Sequence, residues 1–289
     1  MAVIGTGRMG GAMAATISRA GFEVVLWNRN ASKAGQVGDA LGVPVATSAA
    51  EAASKADVVL SSLADDAAVE QVYLGPEGIV EGIGSAAVAI DASTIDPLTV
   101  ERVGQAVDEA AAGFLDCPVS GSVGTVEAGS LTIMAGGDAR LLERVMPVLD
   151  ALAARVVHVG GRGAGAATKL AVNNLVHGLN VALSEAVVLA ERAGVERSTA
   201  YEVFASGAGG APFVQYKRAA FEDPDGTPVA FSLDLVAKDL ELITELGERV
   251  GAPMRQATTT LDIVRRAVAN GFDERDLNAI AVFLRGDEA

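Results

Sequence analysis

Three glycines near the start of the chain constrain its fold more than any other feature. Gly5-Thr6-Gly7-Arg8-Met9-Gly10 follows the short β-type run Ala2-Val3-Ile4 and leads into a helix-forming stretch from Gly11 to Ala20. With a strand before it and a helix after it, G-x-G-x-x-G is the first βα turn of a doubly wound α/β sheet. The first glycine makes the tight turn, the second lets the backbone approach a pyrophosphate, and the third lets the helix pack on the strand. The helix N-terminus then faces the phosphates. The six residues Gly5, Thr6, Gly7, Arg8, Met9 and Gly10 are therefore candidate cofactor ligands. In any other context the same glycines would make only a turn.

The residues after the second strand, Glu23 to Trp27, decide which dinucleotide fits. A carboxylate there would bind the ribose hydroxyls of NAD. This chain has Asn28-Arg29-Asn30, then Ser32 and Lys33. Arg29 can grip a 2′-phosphate with a bidentate fork, so NADP(H) is expected over NAD(H), with Asn28, Arg29 and Asn30 around it. The alternative for Arg29 is stacking on adenine or facing water.

Further strands are expected at Val43–Ala46, Asp57–Leu60, Ala86–Ile90, Phe114–Cys117, Leu131–Ala135 and Arg155–His158, alternating with helical segments. Ligands in such sheets sit outside the carboxyl ends of the strands. That places Ser61 to Ala64, including Leu63, and Ser93-Thr94 beside the cofactor. Asp65 or Asp66 is expected to cap the next helix, and Thr94 has capping of the helix from Pro97 as its alternative role. Pro118 to Gly129 is rich in glycine and serine. Its exposed N–H groups, with the hydroxyls of Ser120 and Ser122 around Gly121, suit a carboxylate, although a mobile glycine loop is the plainer reading. His158 reads as a structural histidine in a strand.

From Ala164 to about Arg192, alanine and leucine dominate and no proline interrupts, so one long helix is expected, ending near Gly194. Gly165, Lys169, Asn173 and His177 fall four residues apart on it and share one face. A lysine partly buried on such a face should have a lowered pKa and suit proton transfer near neutrality; the alternative is a snorkelling surface lysine. Beyond Gly194 the segments Ser198–Ala205, Asp234–Val250, Pro253–Ala269 and Glu274–Leu284 read as helices. The expected architecture is a Rossmann-type domain over 1–162, then an all-helical domain over 163–289. The long helix joins them and is expected to carry Lys169 into the cleft.

Composition excludes several classes. The chain has 289 residues, half of them hydrophobic, which is enough for about two domains or one large one and argues against disorder. A net charge of −15 and a pI near 4.5 argue against nucleic-acid binding. Cys117 is the sole cysteine, so no internal disulfide can form and a reducing compartment is expected. No apolar run approaches the roughly 18 residues of a membrane span, and no targeting signal stands at the start. A cytoplasmic protein without a metal is expected, forming a homodimer or homotetramer through apolar helical faces.

Four stretches, Gly5–Gly10, Asp116–Gly129, Gly163–Asn174 and Phe231–Leu240, together resemble the β-hydroxyacid dehydrogenase family, which includes 3-hydroxyisobutyrate dehydrogenases and glyoxylate/succinic semialdehyde reductases. They come in the family's order and span almost the whole chain. The resemblance implies Lys169 as general acid/base, Asn173 holding substrate, Ser120, Gly121 and Ser122 on the substrate carboxylate, and Thr94 beside the nicotinamide. It implies that Phe231, Lys238 and Asp239 close over cofactor and substrate. The substrate would be a small carboxylate-bearing aldehyde or its hydroxy acid. Ser122 departs from the family's usual Ser-Gly-Gly, which narrows or repolarises that pocket. His177 matches no family role. Imine reductases share the cofactor domain and helical partner but usually place aspartate or tyrosine where Lys169 stands. A protein that binds NADP without turnover is the third reading.

Overall fold

A computed structural model describes residues 1–286. In the N-terminal unit the elements are β1 (Ala2–Ile4), α1 (Arg8–Arg19), β2 (Val25–Trp27), α2 (Ala31–Leu41), α3 (Ala49–Ser54), β3 (Val58–Ser61), α4 (Asp66–Leu74) and α5 (Ile79–Gly82). They continue with β4 (Val88–Asp91), α6 (Pro97–Glu109), β5 (Gly113–Asp116), β6 (Val119–Ser120), α7 (Val123–Glu127), β7 (Leu131–Gly136), α8 (Ala139–Leu152) and β8 (Ala153–Gly160). The long helix α9 (Ala164–Arg192) follows, then α10 (Arg197–Ser206), α11 (Pro212–Glu222), α12 (Leu233–Val250), α13 (Arg255–Ala267) and α14 (Ile280–Arg285). Two compact units result, Met1–Lys169 and Leu170–Ala289.

The first unit is built on an eight-stranded sheet of order β2-β1-β3-β4-β5-β7-β6, with β8 on the other edge of β7. The first five strands are parallel, and their residues alternate between two buried faces. Ile4, Val59, Ala89 and Phe114 point into one cluster, Val3, Leu60, Ile90 and Leu115 into the other. Burial on both faces is what a parallel sheet covered by helices requires. Strand β7 runs antiparallel to β5 and β6, which share one of its edges on either side of Pro118. Pro118 has no N–H for the ladder, so the edge breaks there while its carbonyl still accepts from Met134 N at 3.0 Å.

The strand expected at Val43–Ala46 is reduced to a single bridge, Leu26 with Val45. Pro44 at its centre offers only its carbonyl, to Leu26 N, and Ala46 N donates to Leu26 O. Counting that bridge, the order of the parallel strands reverses between β1 and β3, the switch point where such sheets bind ligands.

The second unit is all-helical. Leu170, Val187, Tyr201, Phe213, Phe221, Leu240, Ile243, Phe272 and Ile280 are among its buried core. The helix expected over Glu274–Leu284 starts later: Asp276 caps a short 3-10 turn, Leu277–Ala279, that runs into α14. Among the described residues no helix is long and apolar enough to cross a membrane.

Candidate functional site

Gly5 adopts φ +90°, and a Cβ there would meet Ser62 O at 2.4 Å. A Cβ on Gly10 would meet Gly5 O at 2.0 Å, so α1 lies directly on the turn. Gly7 differs from both. It is the exposed N-cap of α1, makes no side-chain cap, and has open space where a Cβ would be. The first N–H groups of a helix have no intrahelical partner, so bare ones under an open glycine fit a pyrophosphate. Asn28 fastens the turn to the tip of β2, its Oδ1 accepting from Thr6 N at 3.1 Å and its Nδ2 donating to Asn30 O at 3.0 Å. Asn30 spends its own side chain as the cap of α2, accepting from Lys33 N. Arg8 and Arg29 are exposed beside this turn, and Met9 is half-buried.

The carboxyl ends of β3 and β4, where Ser61 and Ser93 are expected beside the cofactor, carry a buried polar network centred on an acid not among the expected site residues, Asp91. The Asp91 carboxylate accepts from Ser61 Oγ at 2.6 Å, Ser93 Oγ at 2.8 Å and Ser93 N at 3.2 Å. Ser93 Oγ in turn accepts from Leu63 N at 2.9 Å. Burial pushes the Asp91 carboxyl up to about 6, against the pull of the Ser61 and Ser93 donors. The one sign in the sequence was an acid ending an otherwise apolar strand, Val-Ala-Ile-Asp. Thr94 does not cap the helix from Pro97; Asp96 does, accepting from Leu98 N at 2.7 Å. For the earlier helix the cap is Asp65, not Asp66.

Asp116 is a second buried acid, and it caps α9. Its carboxylate accepts from Gly163 N at 3.0 Å and Ala166 N at 2.9 Å. Burial raises its pKa, opposed by those same N–H groups. A Cβ on Gly165 would meet Asp116 O at 2.3 Å and Met134 O at 2.7 Å, so the first turn of α9 rests on the sheet's backbone. Lys169 leaves the helix one turn later and is half-buried.

The glycine-serine stretch after β5 is not an open nest. It folds as β6 followed by the short helix α7. Ser122 is the N-cap of α7; its N–H donates to Thr125 Oγ1 at 3.2 Å and the two hydroxyls are 3.2 Å apart. Gly121, at φ +146°, leaves no room for a Cβ, which would come within 2.7 Å of Leu131 Cδ2. Ser120 is half-buried and Ser122 exposed. His158 lies exposed on β8, its Nε2 2.9 Å from Gly137 O.

In the helical unit the expected residues do cluster. Asn173 Nδ2 donates to Asp239 Oδ2 at 2.5 Å, and Lys238 Nζ pairs with Asp239 Oδ1 at 2.8 Å. His177 Nε2 stands 3.6 Å from Asp239 Oδ2, and its ring stacks on Phe231 at 5.9 Å. Burial would raise the Asp239 carboxyl, yet His177 and Lys238 outweigh it and leave it below the ordinary value. Phe231 is held from behind. Asp276 Oδ2 accepts from Ala230 N at 2.7 Å and Phe231 N at 3.1 Å, while Asp276 Oδ1 pairs with the buried Lys217 at 2.6 Å.

A Rossmann sheet with a glycine turn at its switch point, followed by a helical unit, defines an NAD(P)-binding protein. Comparison with known proteins narrows the class. Residues 1–160 match the family model of the NAD-binding domain of 6-phosphogluconate dehydrogenase, and residues 163–284 match that of the NAD-binding region of NADP-dependent 3-hydroxyisobutyrate dehydrogenase. The chain is 32% identical to an NAD-dependent L-serine dehydrogenase of Pseudomonas aeruginosa, over 97% of this chain and 96% of that protein. It is also 32% identical to glyoxylate/succinic semialdehyde reductase 1 of Arabidopsis thaliana, over 96% and 95% of the two chains. A solved 3-hydroxyisobutyrate dehydrogenase of Mycobacterium tuberculosis, with L-serine, superposes with a TM-score of 0.86 at 30% identity, over 98% of both chains. The chain belongs to the β-hydroxyacid dehydrogenase family and is an oxidoreductase.

Proposed function

We propose that this enzyme transfers hydride reversibly between NADP(H) and a small semialdehyde or its β-hydroxy acid, with Lys169 as the general acid/base. The observation that carries the reading is the anchoring of α9. Asp116 caps the helix and Gly165 seats it on the carbonyls of Asp116 and Met134, at the carboxyl end of the dinucleotide sheet. Lys169 stands one turn further along the helix that this sheet anchors. The bound dinucleotide supplies or accepts the hydride. Lys169 gives a proton to the alkoxide oxygen during reduction and removes it during oxidation, stabilising charge where it develops. Ser120, Gly121 and Ser122 orient the substrate carboxylate, which converts binding into alignment. In the helical unit, Asn173 and Asp239 hold substrate, while Phe231 and Lys238 enclose substrate and cofactor.

Preference for NADP(H) is supported by Arg29, exposed at the tip of β2 where an NAD-binding chain would present an acid. Arg29→Ala is expected to raise KM for NADPH roughly 10–100-fold, the range for losing a bidentate charged contact, and to leave KM for NADH within about twofold. Equal effects on both cofactors would remove the 2′-phosphate role. The substrate class is tested by following NADPH oxidation with glyoxylate, succinic semialdehyde, methylmalonate semialdehyde and tartronate semialdehyde, beside a cyclic imine. Turnover of a semialdehyde and not of the imine is expected. Turnover of the imine alone would reverse the assignment.

A further inference from the structure

Asp91 is 1% exposed, ends β4, and among the described residues accepts only from neutral donors, the hydroxyls of Ser61 and Ser93 and the Ser93 N–H. A buried carboxylate without a cation is costly, and the sheet has no need of it here. The β3–β4 ladder is complete through Asp91, and Ala92 N donates to Ser61 O at 2.9 Å beyond it.

The directions of the hydrogen bonds show what the charge does. A carboxylate can only accept, so both hydroxyl protons point at it. Each hydroxyl oxygen is then free to accept one bond more. Ser61 Oγ is 2.9 Å from Tyr73 OH, and Ser93 Oγ takes the Leu63 N–H at 2.9 Å. Leu63 and Ser62 form the wall of the glycine turn. A Cβ on Gly5 would lie 2.4 Å from Ser62 O and 3.0 Å from Leu63 Cδ2, and Ser62 N donates to Ile4 O at 3.0 Å. The carboxylate thus polarises a relay that runs Asp91, Ser93, Leu63 and ends against the turn.

We propose that Asp91 is a positioning residue for the dinucleotide: its ionised carboxylate, acting through Ser93 on the Leu63 backbone, fixes the wall of the Gly5–Gly10 turn in its binding shape. The inference rests on the reading that this turn holds the dinucleotide. Protonation removes the charge that orders both hydroxyl protons on Oδ1 and weakens the two bonds it accepts, so the Ser93 hydroxyl is held less firmly against Leu63. Binding therefore tightens as pH rises through the Asp91 ionisation, near 6, and weakens below it. By linkage, the bound dinucleotide holds Asp91 ionised to lower pH. The other ionisable groups facing Asp91 are Asp116, its register partner on β5, Cys117 beyond it, and Tyr73 on α4. The last two are pushed well above their ordinary values by burial and stay protonated across this range. Burial raises the Asp116 carboxyl too, so wild type and Asp91→Asn must be compared.

The test is calorimetric titration of the full chain with NAD⁺ from pH 5 to 8. NADPH serves only at pH 8, because its 2′-phosphate ionises near 6. At pH 8, Asp91→Asn is expected to weaken both cofactors about tenfold, the size of one lost charge-assisted hydrogen bond. The wild-type Kd for NAD⁺ should rise as pH falls through about 6. Asp91→Asn should lose that rise, and any part it keeps does not arise from Asp91. Ser93→Ala, which leaves the carboxylate with Ser61, should weaken binding at pH 8 by several-fold and decides the matter if Asp91→Asn does not unfold cooperatively. Wild-type affinity in a folded variant, or a flat wild-type profile, overturns the inference while leaving the cofactor site standing. A wild-type chain that binds neither dinucleotide defeats the cofactor reading, and this inference with it.

Discussion

Replacing Lys169 with alanine is expected to lower kcat by about 10²–10⁴-fold, the loss usual for a positioned proton donor, with a much smaller change in KM. The expectation follows from how little freedom the amine's root has. The first turn of α9 is capped by the Asp116 carboxylate, and Gly165 sits so close to the carbonyls of Asp116 and Met134 that no side chain fits between. A general acid on a loosely seated helix would lose much of its advantage, because small misplacements at a reacting centre are expensive. Lys169→Arg should not restore turnover, since a guanidinium does not give up its proton in the working range. The measurement is steady-state kinetics in both directions with the preferred semialdehyde and hydroxy acid. Near-wild-type kcat in Lys169→Ala would assign proton transfer to another group.

Breaking the Lys217–Asp276 pair should have the largest effect on stability. Both residues are 6% exposed, and removing one partner strands the other charge in the interior. Asp276→Ala also leaves the N–H groups of Ala230 and Phe231 without their acceptor. A loss of about 3–5 kcal/mol is expected, a fall of roughly 10 °C in the midpoint of thermal unfolding. Replacing both partners by apolar residues, Lys217→Met with Asp276→Leu, should recover part of the loss. Recovery stays incomplete because the backbone donors remain unmet. Circular-dichroism melts of the two single variants and the double variant test this. A single variant that melts with wild type would show that the pair is not buried in solution.

Much of the fold is readable from local chemistry. The glycine turn needs only its strand and helix neighbours to be recognised, and α9 is marked by composition and by Gly194 beyond its end. Elements whose fate depends on distant partners are harder to read. Val43–Ala46 has a strand's composition, yet Pro44 limits it to one bridge with Leu26. Pro118–Gly129 reads as an open glycine loop, but Val119-Ser120 finds a partner in β7, and Ser122 with Thr125 starts a helical turn. The polar networks lie furthest from sequence reasoning. Ser61 and Asp91 are 30 residues apart and meet only because β3 and β4 pair in one register. Lys217 and Asp276 are 59 residues apart. His177 shows the same limit. The i, i+4 rule places it on the Lys169–Asn173 face, but its stacking on Phe231 and its approach to Asp239 come from the packing of other elements.

The most direct test of the central claim follows the hydrogen itself. The enzyme is incubated with a semialdehyde and NADPH carrying deuterium at one or the other face of C4, and the hydroxy acid is analysed by mass spectrometry and NMR. Transfer of one deuterium to the carbinol carbon, from one of the two labelled faces only, is the result expected of a nicotinamide-dependent hydroxyacid dehydrogenase. Hydroxy acid formed without deuterium from either face, or none formed while NADPH binds, would contradict it.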